Sequence, residues 1–449
     1  MSSTLIHNAR LIDSDRDVPC GWVSVVDDFI DDLGEGEFTA DKSRFDNVID
    51  AEGKFLLPGV IDEHVHFREP GFTRKGDIDS ESRAAAAGGV TTFFDMPNTV
   101  PPTVDLASWE EKMVIASEHS YVNYAFFIGA TTGNIGFLKS APYESIPGIK
   151  LFMGATTASA ATDDMAYLDR LFSETSARIA VHAEDETIIV RNREWLEREF
   201  SGSRMPIEFH PLIRSREACL SATKKIVDIA LRHRHPLHVM HVSTAEECDF
   251  LAELSAKENL VTSETCPQYL LFASSFYEAK GSLIKCNPAV KSISDRTRLT
   301  EAVFDGTIDV IATDHAPHLP DDKKGDVNKA ASGMPGVQFS LPLMFDLFHS
   351  FSKPFSMLSA KMSGNPAVIW NIDRRGFLRK GYYADLTMIA CFSEKVYDNS
   401  MVLSKCGWTP YEGLPCHYVV EKTWSNGTLV FDNVTGEFNR SARAVKFNI

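Results

Sequence analysis

At 449 residues, 44% of them apolar, the chain can bury a large core and can hold an (α/β)8 barrel of about 250 residues with an accessory domain beside it. Its formal net charge of −17 excludes a nucleic-acid or anionic-membrane binder, because both need clustered cations. Eight cysteines without a C-x-x-C pair, a start lacking an apolar signal core, and no continuous run of about 20 apolar residues predict a cytoplasmic protein with free thiols and no membrane contact.

Residues 1–56 contain short β-like pieces such as Trp22–Val26, divided by turn-forming residues, and residues 365–449 read the same way, as in Ala384–Ile389. Two such terminal segments can pair with each other into one small β-sandwich. Between them, over 57–364, strand-like runs alternate with helix-like segments. The runs are Val60–His66, Val90–Met96, Asn123–Gly129, Gly148–Met153, Arg178–His182, Leu237–Val242, Leu260–Thr265 and Ile308–Thr313. Eight such runs are what a (β/α)8 TIM-like barrel requires, so the fold class is α/β. The first linking helix is expected over Asp77–Ala87, which is rich in alanine, acidic in its first turn to suit the helix dipole, and stopped by Gly88-Gly89.

Strand after strand ends in candidate metal ligands. The apolar run Phe55–Ile61 leads into Asp62-Glu63-His64-Val65-His66-Phe67-Arg68. Histidines at i, i+2 on a strand point to one side of the sheet, so His64 and His66 can reach one ion. Gly148–Met153 holds Lys150, Arg178–Val181 precedes His182, Leu237–Val242 holds His238 and His241, and Thr307–Thr313 precedes Asp314. Ligands scattered so widely on successive strands point to one site at one rim of a barrel. His238 and His241, three residues apart, would face opposite sides of a straight strand, so only one of them can point inward. Lys150 lies among Ile149, Leu151, Phe152 and Met153, where an ammonium would carry a large desolvation cost. Its amine could escape to the strand end and pair with a carboxylate. With the histidines and Asp314 nearby, carboxylation by CO2 is the better reading, since a carbamate has one negative charge and two oxygens able to bridge two divalent ions.

In chain order, the run around His64, Asp95-Met96-Pro97-Asn98-Thr99, Gly148-Ile149-Lys150-Leu151-Phe152, His182-Ala183-Glu184-Asp185, His241-Val242-Ser243 and Thr313-Asp314-His315-Ala316-Pro317-His318 resembles the dihydroorotases, in the cyclic amidohydrolase branch of the amidohydrolase superfamily. The resemblance implies two divalent metal ions. His64, His66 and Asp314 would hold the first, His182 and His241 the second, and the carbamate of Lys150 both. Nitrogen and oxygen donors suit zinc first, and also manganese or cobalt. His241 takes precedence over His238 because His-Val-Ser matches the family pattern, which leaves His238 in the core or behind the ligands. Gly381-Tyr382-Tyr383-Ala384-Asp385-Leu386 fits the terminal sandwich of the same family.

The implied partner is a small molecule, dihydroorotate or N-carbamoyl-L-aspartate, in a protein that could form a homo-oligomer. Arg68, two residues beyond His66, can hold the substrate carboxylate through two parallel bonds. Asn98 matches the other carboxylate contact, Asn287 the contact to the pyrimidine ring, and His318 a further substrate contact, while His315 supports the site. Asp314 is expected as the catalytic proton carrier between an acidified water and the ring nitrogen. The run Gly154–Ala160, with Thr156 and Thr157, is small and polar enough to form a lid. One stretch departs from the pattern: Glu264-Thr265-Cys266-Pro267-Gln268-Tyr269 looks more like allantoinases and the hydantoinase/dihydropyrimidinase group, which form the alternative. A catalytically inactive scaffolding relative is the remaining option, and a complete set of ligand positions argues against it.

Overall fold

The structure is a computed structural model, and it describes residues 2–154, 164–201, 203–255 and 260–448. Its centre is the expected barrel of parallel strands. Val60–Val65, Val90–Asp95 and Asn123–Phe126 form one hydrogen-bonded group, and Ile128–Gly129, Ile149–Met153, Ile179–Ala183, Leu237–Val239, Val261–Thr265 and Val310–Ile311 form the other. Asn123–Phe126 and Ile128–Gly129 are one barrel strand interrupted at Phe127, whose N–H turns to the Asp95 carbonyl. Nearly every residue of these strands is buried, as parallel strands covered on both faces must be. The circle closes between the eighth and first strands. Thr313 donates both its N–H (3.1 Å) and its hydroxyl (2.6 Å) to Asp62, and the His66 N–H meets the His315 carbonyl at 2.7 Å. Burial pushes the Asp62 carboxyl up to about 7.

Local chemistry sets the boundaries as expected. The first linking helix spans Ile78–Ala87, with Asp77 as N-cap in a capping box with Ser80. It stops at Gly88, and Gly89 adopts the left-handed φ of +77° that returns the chain to the next strand.

Strands from both ends of the chain hydrogen-bond into a single nine-stranded sheet. Phe55–Pro58 is its keystone: it pairs in parallel with Ser3–Asp13 on one side and antiparallel with Leu386–Val396 on the other. Ile6, Leu11, Val23, Leu56, Leu386 and Trp424 fill a core of their own there. Phe55–Pro58 then passes through Gly59 straight into the first barrel strand. A Cβ at Gly59 would stand 2.2 Å from the Thr91 side chain, so only glycine fits that crossing.

The chain end does not stay with the sheet. Residues 444–447 return to the barrel, where the Val445 N–H bonds the Tyr124 carbonyl (3.0 Å) and Phe447 packs edge-on to Phe94. The segment 365–449 therefore serves both layers, because its last apolar residues find a larger apolar surface on the barrel. Among the described residues no helix is long and apolar enough to cross a membrane.

Candidate metal centre

The histidines and Asp314 expected from the sequence emerge at or just past the carboxyl ends of barrel strands, the rim where barrels of this kind place their chemistry, while Lys150 rises from deeper in its strand, as the second residue of Ile149–Met153. His64, His66, Arg68, Asn98, Lys150, His182, His241, Asn287 and Asp314 line a single cavity. The donor atoms of His64, His66 and Asp314 lie within 4.8 Å of one another, with Asp314 Oδ1 3.3 Å from His64 Nε2 and 3.1 Å from His66 Nε2. Opposite them, His182 Nδ1 and His241 Nε2 are 2.8 Å apart.

Three of the four imidazoles are aimed by a partner on the other nitrogen. His64 Nδ1 meets Glu264 Oε1 at 2.5 Å, His66 Nδ1 meets Asn98 Oδ1 at 2.8 Å, and His182 Nε2 meets Glu184 Oε2 at 2.9 Å. Glu264 Oε1 also accepts the His241 backbone N–H at 3.1 Å. Such acceptors fix the tautomer that turns a lone pair toward an ion. Burial holds His64, His182 and His241 below the ordinary imidazole value, so these rings are neutral donors. Burial opposes ionisation of Glu184, but an ion pair with Arg214 and the bond from His182 outweigh it and hold that carboxyl down to about 2.

Lys150 does not escape to a carboxylate. Its side chain is fully buried, its amine points to the Met240 sulfur at 2.7 Å, and burial brings it down to about 8. A buried amine that has no carboxylate partner among the described residues, and that shares its cavity with four imidazoles and Asp314, is chemically suited to reaction with CO2. The donor set and its orienting partners fit two divalent ions bridged by that lysine.

The expectation that only one of His238 and His241 points inward fails. The strand ends at Val239, and His241 takes a left-handed φ of +40°, which turns its ring back to the rim. His238 stays in the barrel interior, with Nε2 2.9 Å from Glu63 Oε1 and 3.7 Å from Glu264 Oε2. Burial pushes its proton affinity down, but these two carboxylates outweigh it and hold His238 up to about 9, behind the ligands. Arg68 (φ +72°) and Asp314 (φ +47°) share the left-handed backbone. Three such residues at one rim mark a site whose geometry overrides local preference.

Two substrate expectations read differently in the structure. Asn98 lines the cavity but holds the His66 ring, as above. His318 is fully buried and stands outside the cavity lining, behind Arg68. Thr156 and Thr157, the expected lid, lie outside the described residues. Asn287 does line the cavity, and its buried Oδ1 has no hydrogen-bond partner among the described residues. His315 bonds Glu81 through Nε2 at 2.8 Å and accepts the Gly336 N–H, which secures the loop after Asp314.

Sequence reasoning passed over Glu184 and used Glu264 only to weigh substrate classes. A signal was present for both. Glu184 stands two residues after His182, on the same face, and Glu264 is a charged residue in a buried strand, as Lys150 is.

With this geometry in place, the comparison with known proteins is direct: residues 55–430 match the Amidohydrolase family. The chain belongs to that family. It is a metal-dependent hydrolase. A dihydroorotase of Methanosarcina acetivorans is 34% identical over 400 residues, covering 87% of this chain and 84% of that protein. A dihydroorotase of Pyrococcus abyssi is 32% identical over 98% of this chain and 97% of its own length. Among solved structures, the L-hydantoinase (dihydropyrimidinase) of Arthrobacter aurescens superposes with a TM-score of 0.92 at 27% identity, over 99% of this chain and all of that one. The dihydropyrimidinase of Brevibacillus agri, at 23% identity and a TM-score of 0.88, shares the fold.

Proposed function

We propose that the chain is a dihydroorotase, closing N-carbamoyl-L-aspartate to L-dihydroorotate and water, and reversing that step, in cytoplasmic pyrimidine synthesis. The observation that carries the reading is the buried guanidinium of Arg68 on the wall of the ligand-lined cavity. A permanent cation there is costly unless an anion arrives to meet it, and dihydroorotate brings a carboxylate that a simple hydantoin lacks. The relatives named dihydroorotase, matching over most of their length, support the same substrate.

In this reading His64, His66 and Asp314 would hold one divalent ion and His182 and His241 the other, carboxylated Lys150 would serve both, and zinc best matches the donors. Bound there, the ions supply Lewis acidity and an acidified water. The chain does the rest. Arg68 orients the ring by its carboxylate, and the Asn287 carbonyl accepts a ring N–H. Asp314 takes the proton of the attacking water and delivers it to the departing ring nitrogen; in ring closure it returns the proton by the same path.

The second reading, hydantoinase or dihydropyrimidinase, draws on the near-complete superposition with the Arthrobacter aurescens enzyme. Ring opening of dihydroorotate, dihydrouracil, a 5-substituted hydantoin and allantoin, measured side by side on metal-assayed protein, separates the two. Preference for any carboxylate-free ring overturns the proposal, and absence of bound metal with no turnover would make the chain an inactive relative.

A further inference from the structure

Behind Arg68 lies a group of cations that the reaction as described does not use. His318 is fully buried, and its ring meets three partners: Lys75 Nζ lies 3.0 Å from Nδ1, while the Ser332 carbonyl (3.0 Å) and Arg68 Nη2 (3.1 Å) both lie against Nε2. Arg68 is anchored on its other side by Nε donating to the Pro317 carbonyl at 3.0 Å.

A protonated lysine can only donate, so a ring nitrogen that faces it must present a lone pair. The single proton of the neutral imidazole is then on Nε2, where it is donated to the Ser332 carbonyl. Arg68 Nη2 consequently faces an N–H instead of an acceptor. Arg68 Nη2 therefore spends no hydrogen on His318 and keeps it for an anionic oxygen in the cavity that Arg68 lines. In the opposite tautomer Nε2 would accept from Arg68, and the guanidinium would lose that free hydrogen.

The geometry points to Lys75 as a positioning residue that holds His318 in its Nε2–H tautomer and so keeps Arg68 open to the substrate carboxylate. The inference rests on the dihydroorotase reading for the identity of that anion. Lys75 is itself kept in place by Asp322, whose Oδ2 lies 3.7 Å from the amine and whose Oδ1 bonds Arg74 at 2.7 Å. Burial first, then Arg68, Lys75 and Lys323, keep the His318 ring far below its ordinary value, so it stays a neutral ring with one proton to place.

The test uses the metal-loaded enzyme with Lys75→Met and Lys75→Arg. Arginine also only donates and should preserve the tautomer; methionine releases it. For Lys75→Met, KM for dihydroorotate should rise about tenfold or more with kcat and metal content little changed, the pattern of lost uniform binding, while Lys75→Arg stays near the parent. Long-range 1H–15N correlation of the imidazoles, with His318 assigned by its loss in His318→Gln, should show an Nε2–H ring in the parent and Lys75→Arg, and an Nδ1–H ring in Lys75→Met. An unchanged KM in Lys75→Met, or an unchanged tautomer, overturns the inference. If Lys75→Met does not fold, Lys75→Gln, whose amide oxygen can accept from Nδ1–H, carries the same expectations. If the parent enzyme does not turn over dihydroorotate, the functional reading falls, and the tautomer of His318 alone decides the role of Lys75.

Discussion

Replacing Arg68 with methionine keeps an unbranched apolar stem and removes the guanidinium. Arg68 is 6% exposed, and it reaches the cavity from a loop secured by the buried Lys112–Asp95 pair, in which Asp95 accepts the Phe67 N–H at 2.7 Å. A carboxylate bound there would receive two charge-assisted hydrogen bonds, each contributing about 1.5–3 kcal/mol. Losing both costs about 3–6 kcal/mol of transition-state binding, a fall of roughly 10²–10⁴ in kcat/KM for dihydroorotate. Burial already depresses the guanidinium to about 10, so removing the charge relieves a desolvation cost and offsets the lost bond to Pro317. Folding stability should therefore change little. The assay is steady-state kinetics in both directions, with metal content by elemental analysis and dihydrouracil as a carboxylate-free control. Dihydroorotate turnover should collapse while metal content and any dihydrouracil turnover hold. A loss below tenfold, or metal lost in step with activity, would show that Arg68 does not hold the substrate.

Lys150→Ala should lose activity together with most bound metal, and short carboxylic acids in solution should restore part of the rate; full activity without them would remove the bridging role. Asp314→Asn keeps the shape of the side chain but cannot carry the proton, so both directions should fall by roughly 10²–10⁴, and near-normal rates would move the proton to another group. Asn98→Ala removes the acceptor that aims His66, so chelator competition should show one ion bound about 10–100-fold more weakly and the other unchanged; equal loss of both would mean that Asn98 does not act through His66. His235 tests acid stability far from the cavity. Burial holds this ring down to about 4, and it bonds Thr175 at 3.2 Å and the Pro236 carbonyl at 3.0 Å. The unfolded chain, titrating near 6.5, binds the extra proton first, so this contribution is whole above that value and is lost as pH falls toward 4. From pH 7 to 5 the loss is about 2 kcal/mol, read from urea midpoints, and His235→Gln should show a correspondingly shallower pH dependence.

The barrel was legible because its strands are short apolar runs at regular spacing, and the linking helix because its cap and stop residues are strong local signals. The candidate ligands were legible because imidazoles at the ends of apolar strands, and a lysine within one, have few other uses. What the sequence concealed lies where local rules yield to tertiary ones. A straight-strand argument forbids two inward histidines at 238 and 241, and one left-handed residue permits them. Glu264 and Glu184 act on imidazoles rather than on substrate, and only the folded barrel shows which carboxylate faces which ring. His318 reads as a substrate contact by its motif, yet in space it is the backing of Arg68. The last residues return to the barrel through apolar packing that no short motif announces.

Phe55–Pro58 hydrogen-bonds to a segment that begins at Leu386, and six residues after Pro58 stands His64. During synthesis, the strand leading to the first ligand therefore waits with one edge bare while about 330 residues are added, on the order of 15 s to a minute at typical rates of about 5–20 residues per second. Asp314 is made late in that interval as well. The ligand set is thus complete only once Asp314 has left the ribosome, 250 residues after His64. A ribosome stalled before residue 386 would hold a terminal sheet with the outer edge of Phe55–Pro58 unpaired, open to mispairing with a neighbouring chain.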